Sequence, residues 1–296
     1  MRPLWPTYLK LTGVAIFWAG TFVAARTISA SLPPATAALL RFVVAGLVLA
    51  GTLHFSQGLG VLRQVTRPQL IGTMVMGASG ILLYNLCVFY AASLMEASRT
   101  SVFVALNPVA TLLLAAVFLR ERISPARWLG VVMAVAGVWI VVARGDFANL
   151  SMSFGKGELA MLAAVLGWST YTLQGRKTLR TMEAMVASLL ASLWGTLFLA
   201  IIAVPEWAGI TSSAFTPGVI ACCIYTGVFG TAIAFVWYSQ GISHIGAAKT
   251  VVFNNLVPLL GVGFGWLFLN EPLTASKLAG CVLAIAGVFL VNRTAR

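Results

Sequence analysis

Long apolar runs separated by short polar connections fill almost the whole chain, and ten can be marked. They are Thr7 to Ile28, Ala35 to His54, Gln69 to Ser93, Ala97 to Leu119 and Ala126 to Ala143, then Gly157 to Gln174, Met182 to Val204, Pro217 to Gln240, Ala247 to Leu269 and Thr274 to Val291. A helix needs roughly 20 mostly apolar residues to cross about 30 Å of hydrocarbon, so each run predicts a transmembrane helix. The connections carry residues that stop helices: Leu32-Pro33-Pro34, Arg67-Pro68, Ser124-Pro125, Thr216-Pro217 and Glu271-Pro272.

The fourth and ninth runs say nearly the same thing. Phe103 matches Phe253, Pro108 matches Pro258, Phe118-Leu119 matches Phe268-Leu269 and Glu121 matches Glu271, all at one spacing of 150 positions. Trp18 and Trp168 keep the same spacing. The chain therefore divides into two copies, 1–148 and 149–296, with five spans each. Five is odd, so the second copy enters the bilayer from the opposite side and the repeats are inverted. Inverted repeats suit alternating access, because exchanging the conformations of two like halves opens a midplane site to each side in turn. The predicted fold is an all-α membrane protein, two inverted five-helix repeats around a central cavity.

Composition and charge support this placement. With 60% hydrophobic and 9% charged residues, the 296-residue chain lacks the polar surface to cover a soluble globule. A net charge of +12 raises nucleic acid as a partner, but Lys and Arg sit in short connections and form no stripe with aromatic interleaving. They order the topology instead. An amino end in the cytoplasm puts most of them on that face and only Arg26, Arg99, Arg144, Lys156 and Lys277 opposite, with Arg41 left inside a span. Both termini are predicted cytoplasmic, in a bacterial-type inner membrane. Cys87, Cys222, Cys223 and Cys281 lie in apolar segments without metal or redox spacing. The N-terminal run has the basic and apolar regions of a secretory signal, but it is long enough to span and Trp18 has a counterpart in the second copy.

These residues resemble the EamA group of the drug/metabolite transporter superfamily, and within it the YddG-type amino-acid exporters. The resemblance lies in Trp18-Ala19-Gly20-Thr21, Arg41-Phe42, Asn107-Pro108, Leu119-Arg120-Glu121-Arg122 and Gly130 through Gly137. The second copy answers with Trp168, Pro258, Leu269-Asn270-Glu271-Pro272 and Gly280 through Gly287. It implies ten helices, a cavity lined mainly by spans one, three, four, six, eight and nine, and export of small metabolites.

Candidate chemistry is sparse. Pro108 and Pro258 each remove a helical N–H and leave a carbonyl four residues back, at Val104 and Asn254, in need of a partner. The kinks either pack against neighbours or serve as hinges that turn polar backbone toward the cavity. Asn85, Asn107, Asn254 and Asn255, with Gln240, either hydrogen-bond between helices or grip a substrate. Trp18, Tyr84, Phe103, Trp168, Tyr171 and Trp237 are the aromatic candidates. Trp18 and Trp168 lie too deep for an interfacial belt and are read as pocket-lining. The six aromatics and the four asparagines together form the candidate substrate site, with Pro108 and Pro258 as hinges.

All seven acids, Glu96, Glu121, Asp146, Glu158, Glu183, Glu206 and Glu271, fall in loops or at span ends, with Glu158 near the mouth of span six. A proton relay needs an ionisable group at depth. The resemblance sharpens the point, because the small multidrug pumps of that superfamily place a glutamate in their first span, and span one here has none. Facilitated passage is expected. Arg41 is expected to snorkel to the non-cytoplasmic face, and Glu121 and Glu271 to cap helices or pair with cations. The glycines Gly130, Gly137, Gly280 and Gly287, with the Gly77–Gly80 and Gly227–Gly230 pairs, read as close-packing faces.

His54 and His244 stand at span ends without a catalytic pattern, and no filter motif suggests a channel. No cofactor, metal site or nucleic-acid partner is expected. The expected partners are the lipid bilayer and one small molecule, handled by a monomer. The reading is export of amino acids, aromatic or other neutral ones included, by alternating access, through a cavity that holds its cargo with dipoles rather than full charges. Nucleotide sugars are disfavoured because phosphate calls for Lys or Arg at depth. A broad drug exporter and an intramembrane enzyme are the alternatives.

Overall fold

The computed structural model describes residues 4–120, 123–143 and 154–292. Arg2, Glu121, Arg122, Arg144, Asp146, Arg293 and Arg296, which entered the charge and capping arguments, lie outside them.

Ten helices of membrane length are present among the described residues. They are α1 (Trp5–Ser29), α2 (Pro34–Ser56), α3 (Arg67–Leu94), α4 (Ala97–Val102 continued by Leu106–Leu119), α5 (Pro125–Ala143), α6 (Lys156–Thr178), α7 (Ala184–Ala203), α8 (Pro217–Ile245), α9 (Ala247–Val251 continued by Leu256–Leu269) and α10 (Ala275–Asn292). Nine are apolar enough to cross a membrane by composition alone. The tenth, α6, has lower hydropathy because its buried face carries Glu158, Ser169, Tyr171 and Thr172, while Leu159 and Leu166 face outward. Large apolar side chains such as Leu47, Phe55, Val117 and Val282 face outward, as lipid-facing positions require.

Prolines sit in the first turns of α1, α2, α3 and α8, where a missing N–H costs nothing. Helix α8 runs further than the apolar pattern suggested, to Ile245, leaving Gly246 at φ 86° as the turn into α9. A left-handed residue of that kind favours glycine.

The 150-position spacing reappears in the backbone. Helices α4 and α9 each break into a short 3-10 turn, Phe103–Ala105 and Val252–Asn255, and each ends on a left-handed residue at φ 54°, Arg120 and Asn270. Helices α3 and α8 each contain a π-helical stretch, Gly77–Leu83 and Val228–Ile233.

Contacts between the copies show how they are related. Gly130 of α5 lies against Gly287 and Val291 of α10, and Gly137 against Gly280 and Ala284. The numbers run in opposite directions, so the two copy-equivalent helices cross antiparallel. The contacts also exchange under the 150 spacing, as a two-fold axis requires. Likewise Gly77 meets Ala191 and Trp194 of α7, while its mate Gly227 meets Arg41 and Val44 of α2, the mates of those residues. The repeats are inverted. At these crossings a methyl group would strike facing backbone, which is why small residues occupy them.

The start of α1 and the end of α10 lie on one side, the terminal face, where Thr7 Oγ1 is 3.3 Å from His244 Nδ1, Lys10 Nζ donates to Gln240 Oε1 at 2.9 Å, and Asn292 shares a cleft with Gly246. The opposite side is called the far face below.

Candidate functional site

Copy-equivalent tryptophans meet at the middle of the bundle. Trp18 and Trp168 each stand one residue past the midpoint of their helices, α1 and α6, and pack edge to face with centroids 5.0 Å apart. Around Trp168 gather Tyr171, stacked at 4.9 Å, Tyr84 at 5.1 Å, Tyr238 at 5.4 Å and Phe235 at 5.5 Å. Such ring pairs contribute on the order of 1 kcal/mol each beyond the area they bury. Beside them lies a cavity of about 20 Å³, room for about one water. Its walls come from Trp18, Thr21 and Phe22 of α1, Tyr84 and Val88 of α3, Val104 and Asn107 of α4, Trp168 of α6, Phe235 of α8 and Val257 of α9, with Arg41 of α2 added.

Arg41 does not snorkel. Its side chain is buried, with Nε donating to Thr231 Oγ1 at 2.7 Å and Nη2 to the Gly230 carbonyl at 2.9 Å. The reason is the π-helical stretch of α8. Widening the ladder frees carbonyls from their usual partners, and Gly230 O receives the indole of Trp18 at 3.0 Å as well as Arg41. In the first copy the mate of Gly230, Gly80, gives its carbonyl to Asn85 Nδ2 at 3.2 Å. A guanidinium about two turns from a helix end can turn inward as readily as outward, and here the acceptors lie inward. Arg41 therefore replaces the expected purely dipolar cavity with one that holds a full charge. The argument against phosphate, which relied on the absence of a deep cation, loses its support.

Of the predicted residues, Trp18, Tyr84, Asn107 and Trp168 share the cavity wall. Tyr171 lies one ring behind, against Trp168. Asn85 does not line the cavity; its amide holds the α3 backbone at Gly80 and Ile81. Phe103 is core within the 3-10 turn. Trp237 packs sideways against Phe17 at 5.9 Å and over Gly13. Asn254 and Asn255 form the α9 turn. The carbonyls freed by Pro108 and Pro258 are recovered locally, Val104 O and Asn254 O each accepting the N–H two residues on, from Leu106 and Leu256. Phe235, Tyr238 and Thr231 are not among the predicted residues, although Phe235 is the 150-position mate of Asn85.

A wider cleft of about 400 Å³ opens on the terminal face, lined by Pro108, Thr111 and Ala115 of α4, Arg176 of α6, Gly246 and Lys249 at the α8–α9 turn, and Asn292 of α10. Asn107 faces the small cavity and Pro108 the cleft, so one turn of α4 divides them. The far face is closed by polar contacts. Arg99 and Glu158 form an ion pair at 2.7 Å with both side chains 5% exposed, Arg99 also donates to Val142 O, and Lys277 pairs with Glu96. The Glu271 carboxylate accepts the N–H groups of Ala97 and Ser98 at the start of α4, and Glu206 those of Ala35 and Thr36 at the start of α2. Among the described residues no cluster of His, Cys, Asp or Glu has the makings of a metal site.

Comparison with known proteins agrees with the repeat. The model of the EamA-like transporter family matches residues 5–143 and again 155–293. An uncharacterized transporter of Bacillus subtilis, YyaM, is 25% identical over 98% of this chain and 94% of its own length. An uncharacterized transporter of Archaeoglobus fulgidus is 25% identical over 97% of each. A probable terminal-alkyne amino-acid exporter of Streptantibioticus cattleyicolor is 28% identical over 94% of this chain and 90% of its own. A solved crystal structure, 21% identical, shares the fold with a TM-score of 0.69 over 96% of both chains.

Proposed function

The chain belongs to the EamA-like transporter family, and from that premise we propose that it exports amino acids, aromatic or other neutral ones among them, by alternating access. It is a membrane transporter rather than an enzyme. The observation that carries the amino-acid reading is the aromatic cage at mid-bilayer, where one tryptophan from each inverted copy closes on the other. A cavity of about 20 Å³ holds no amino acid, so in this reading the substrate enters from the terminal-face cleft as Trp18 and Trp168 part, and leaves when the far-face contacts open. The named amino-acid exporter among its relatives supports the substrate class. The terminal face is the cytoplasmic one, in an inner membrane, by the bias of Lys and Arg.

Passage is facilitated rather than proton-driven. Both of the most buried acids among the described residues are engaged at the far face, Glu158 with Arg99 and Glu271 with the α4 amides, and neither stands at depth as a relay would require.

Counterflow of labelled amino acids into proteoliposomes tests this. Wild-type protein should accumulate label, and collapsing an imposed proton gradient should change the rate less than twofold. Trp168→Ala should lower the rate at least tenfold with the protein still folded, and Trp168→Phe, which keeps a ring in the cage, less. A folded Trp168→Ala variant with unchanged counterflow removes the cage from the site.

A further inference from the structure

The cavity contains one full charge and, among the described residues, no carboxylate paired with it. Arg41 is 3% exposed; its hydrogen-bond acceptors are a hydroxyl, Thr231, and a carbonyl, Gly230, and the Phe42 ring lies 5.5 Å from its guanidinium carbon. The ion pairs seen among the described residues are Arg99–Glu158 and Lys277–Glu96, both at the far face. A guanidinium has five N–H donors, and the two bonds to α8 leave donors over on a side chain that lines the cavity. A buried cation without a carboxylate is costly. Its persistence at a transport site makes sense when the missing anion arrives with the cargo.

A second group points the same way. Asn107 is 1% exposed and lines the cavity, and its side-chain oxygen has no hydrogen-bond partner. The two copies differ here: the mates of Arg41 and Asn107 at the 150 spacing are Ala191 and Val257. Symmetry that holds for the tryptophans, glycines and backbone breaks turns fails at these two positions. The first copy thus supplies the charged and amide groups of the cavity wall, and the second supplies only Trp168, Phe235 and Val257.

We propose that Arg41 binds the carboxylate of the transported molecule, that the Asn107 oxygen accepts from its ammonium group, and that Trp18, Trp168 and Phe235 enclose its side chain. The assignment rests on the amino-acid reading above and sharpens it. The recognised unit is the amino-acid backbone, so a cationic drug without a carboxylate is not a substrate. A phosphate monoester, a dianion with more acceptors than one guanidinium serves, fits less well.

Proteoliposomes loaded for counterflow with phenylalanine or alanine separate the possibilities when each is challenged by its amide, which lacks the carboxylate, by its 2-hydroxy acid, which lacks the ammonium, and by glucose 6-phosphate. Wild-type protein should prefer the amino acid over the amide at least thirtyfold. Arg41→Gln should reduce that preference to threefold or less, and Arg41→Lys should restore part of it. Asn107→Leu should erode the preference for the amino acid over the hydroxy acid and leave the preference over the amide. These ratios do not depend on how much protein is folded. If the wild type carries amino acids and Arg41→Gln keeps the wild-type ratio, the Arg41 assignment falls and the exporter reading stands. Arg41-dependent uptake of the hydroxy acid alone overturns the Asn107 assignment. Uptake of glucose 6-phosphate in place of the amino acids, or transport of none of these probes, overturns the proposal together with the reading beneath it.

Discussion

At the far face α4 begins at Ala97 with its first two N–H groups held by the Glu271 carboxylate, at 2.7 and 2.9 Å, and with Arg99 and Glu158 paired beside it. At the terminal face the copy-equivalent α9 begins at Ala247, after the left-handed Gly246, and there the protein opens into the 400 Å³ cleft. The same segment has been written twice with different punctuation. The mates of Glu96, Glu158 and Glu206 are Gly246, Tyr8 and Ser56, so three acids of the far-face lock have no counterpart at the other end. Two inverted copies with identical ends would have no reason to prefer one opening over the other. Lacking these carboxylates at one end breaks that balance, and it does so in the direction seen: far face closed, terminal face open.

The largest test of this comparison is removal of the lock. Glu158 closes the first turn of α6, accepting the Gly155 N–H at 2.8 Å, and carries the pair with Arg99. Glu158→Ala leaves a buried guanidinium without its carboxylate, a loss of about 3–5 kcal/mol. The melting temperature in detergent should fall by several degrees or more. Lys249→Ala, at the counterpart of Arg99 on the exposed end, should cost no more than about 0.5 kcal/mol. A double variant, Arg99→Leu with Glu158→Met, should recover part of the loss, since an apolar pair often replaces a buried ion pair without penalty. Equal melting of the Glu158 and Lys249 variants would make the two ends energetically alike and dissolve the comparison.

The helices and their inversion were legible because membrane burial writes itself as length and apolarity, and duplication writes itself as a spacing. Trp18 and Trp168 were legible for the same reason, since each lies deep in its own run. Arg41, Asn85 and Trp237 were not. Their fates depend on contacts made across the bundle: on a carbonyl released at Gly230, on the local acceptors at Gly80 and Ile81, and on Phe17 of a neighbouring helix. The glycines of the two π-helical stretches do form packing faces, but nothing in their spacing shows that the ladder between them is widened. It is that widening which turns Arg41 inward.

A smaller effect is expected from Glu271→Gln. Glutamine keeps one acceptor for the α4 amides but gives up the charge that the helix N-terminus favours, a loss of roughly 1–2 kcal/mol. Hydrogen exchange at Ala97 and Ser98 should quicken about tenfold, with α9 amides at the other end unaffected. Exchange that stays slow at both would mean that packing of α4 against α9, rather than the carboxylate, holds the far face shut.

The smallest effect comes from supplying what the terminal face lacks. Tyr8 lies 40% exposed, its ring 5.9 Å from Phe253 of α9, and occupies the position of Glu158 in the other copy, with Lys249 in the position of Arg99. Tyr8→Glu places a carboxylate where closure of the cleft would bring Lys249 near it. An exposed pair of that kind contributes about 0.5 kcal/mol, enough to shift a two-state balance about twofold. With the native cysteines replaced and a cysteine put at Thr111 in the cleft wall, labelling by a maleimide from the terminal side should slow about twofold. The slowing should vanish in high salt, which screens such a pair, and Tyr8→Gln should not reproduce it. A slowing that survives salt, or that Tyr8→Gln shares, would come from the lost ring contact with Phe253; the preference for one opening would then lie in aromatic packing between α1 and α9 and not in the count of carboxylates at each end.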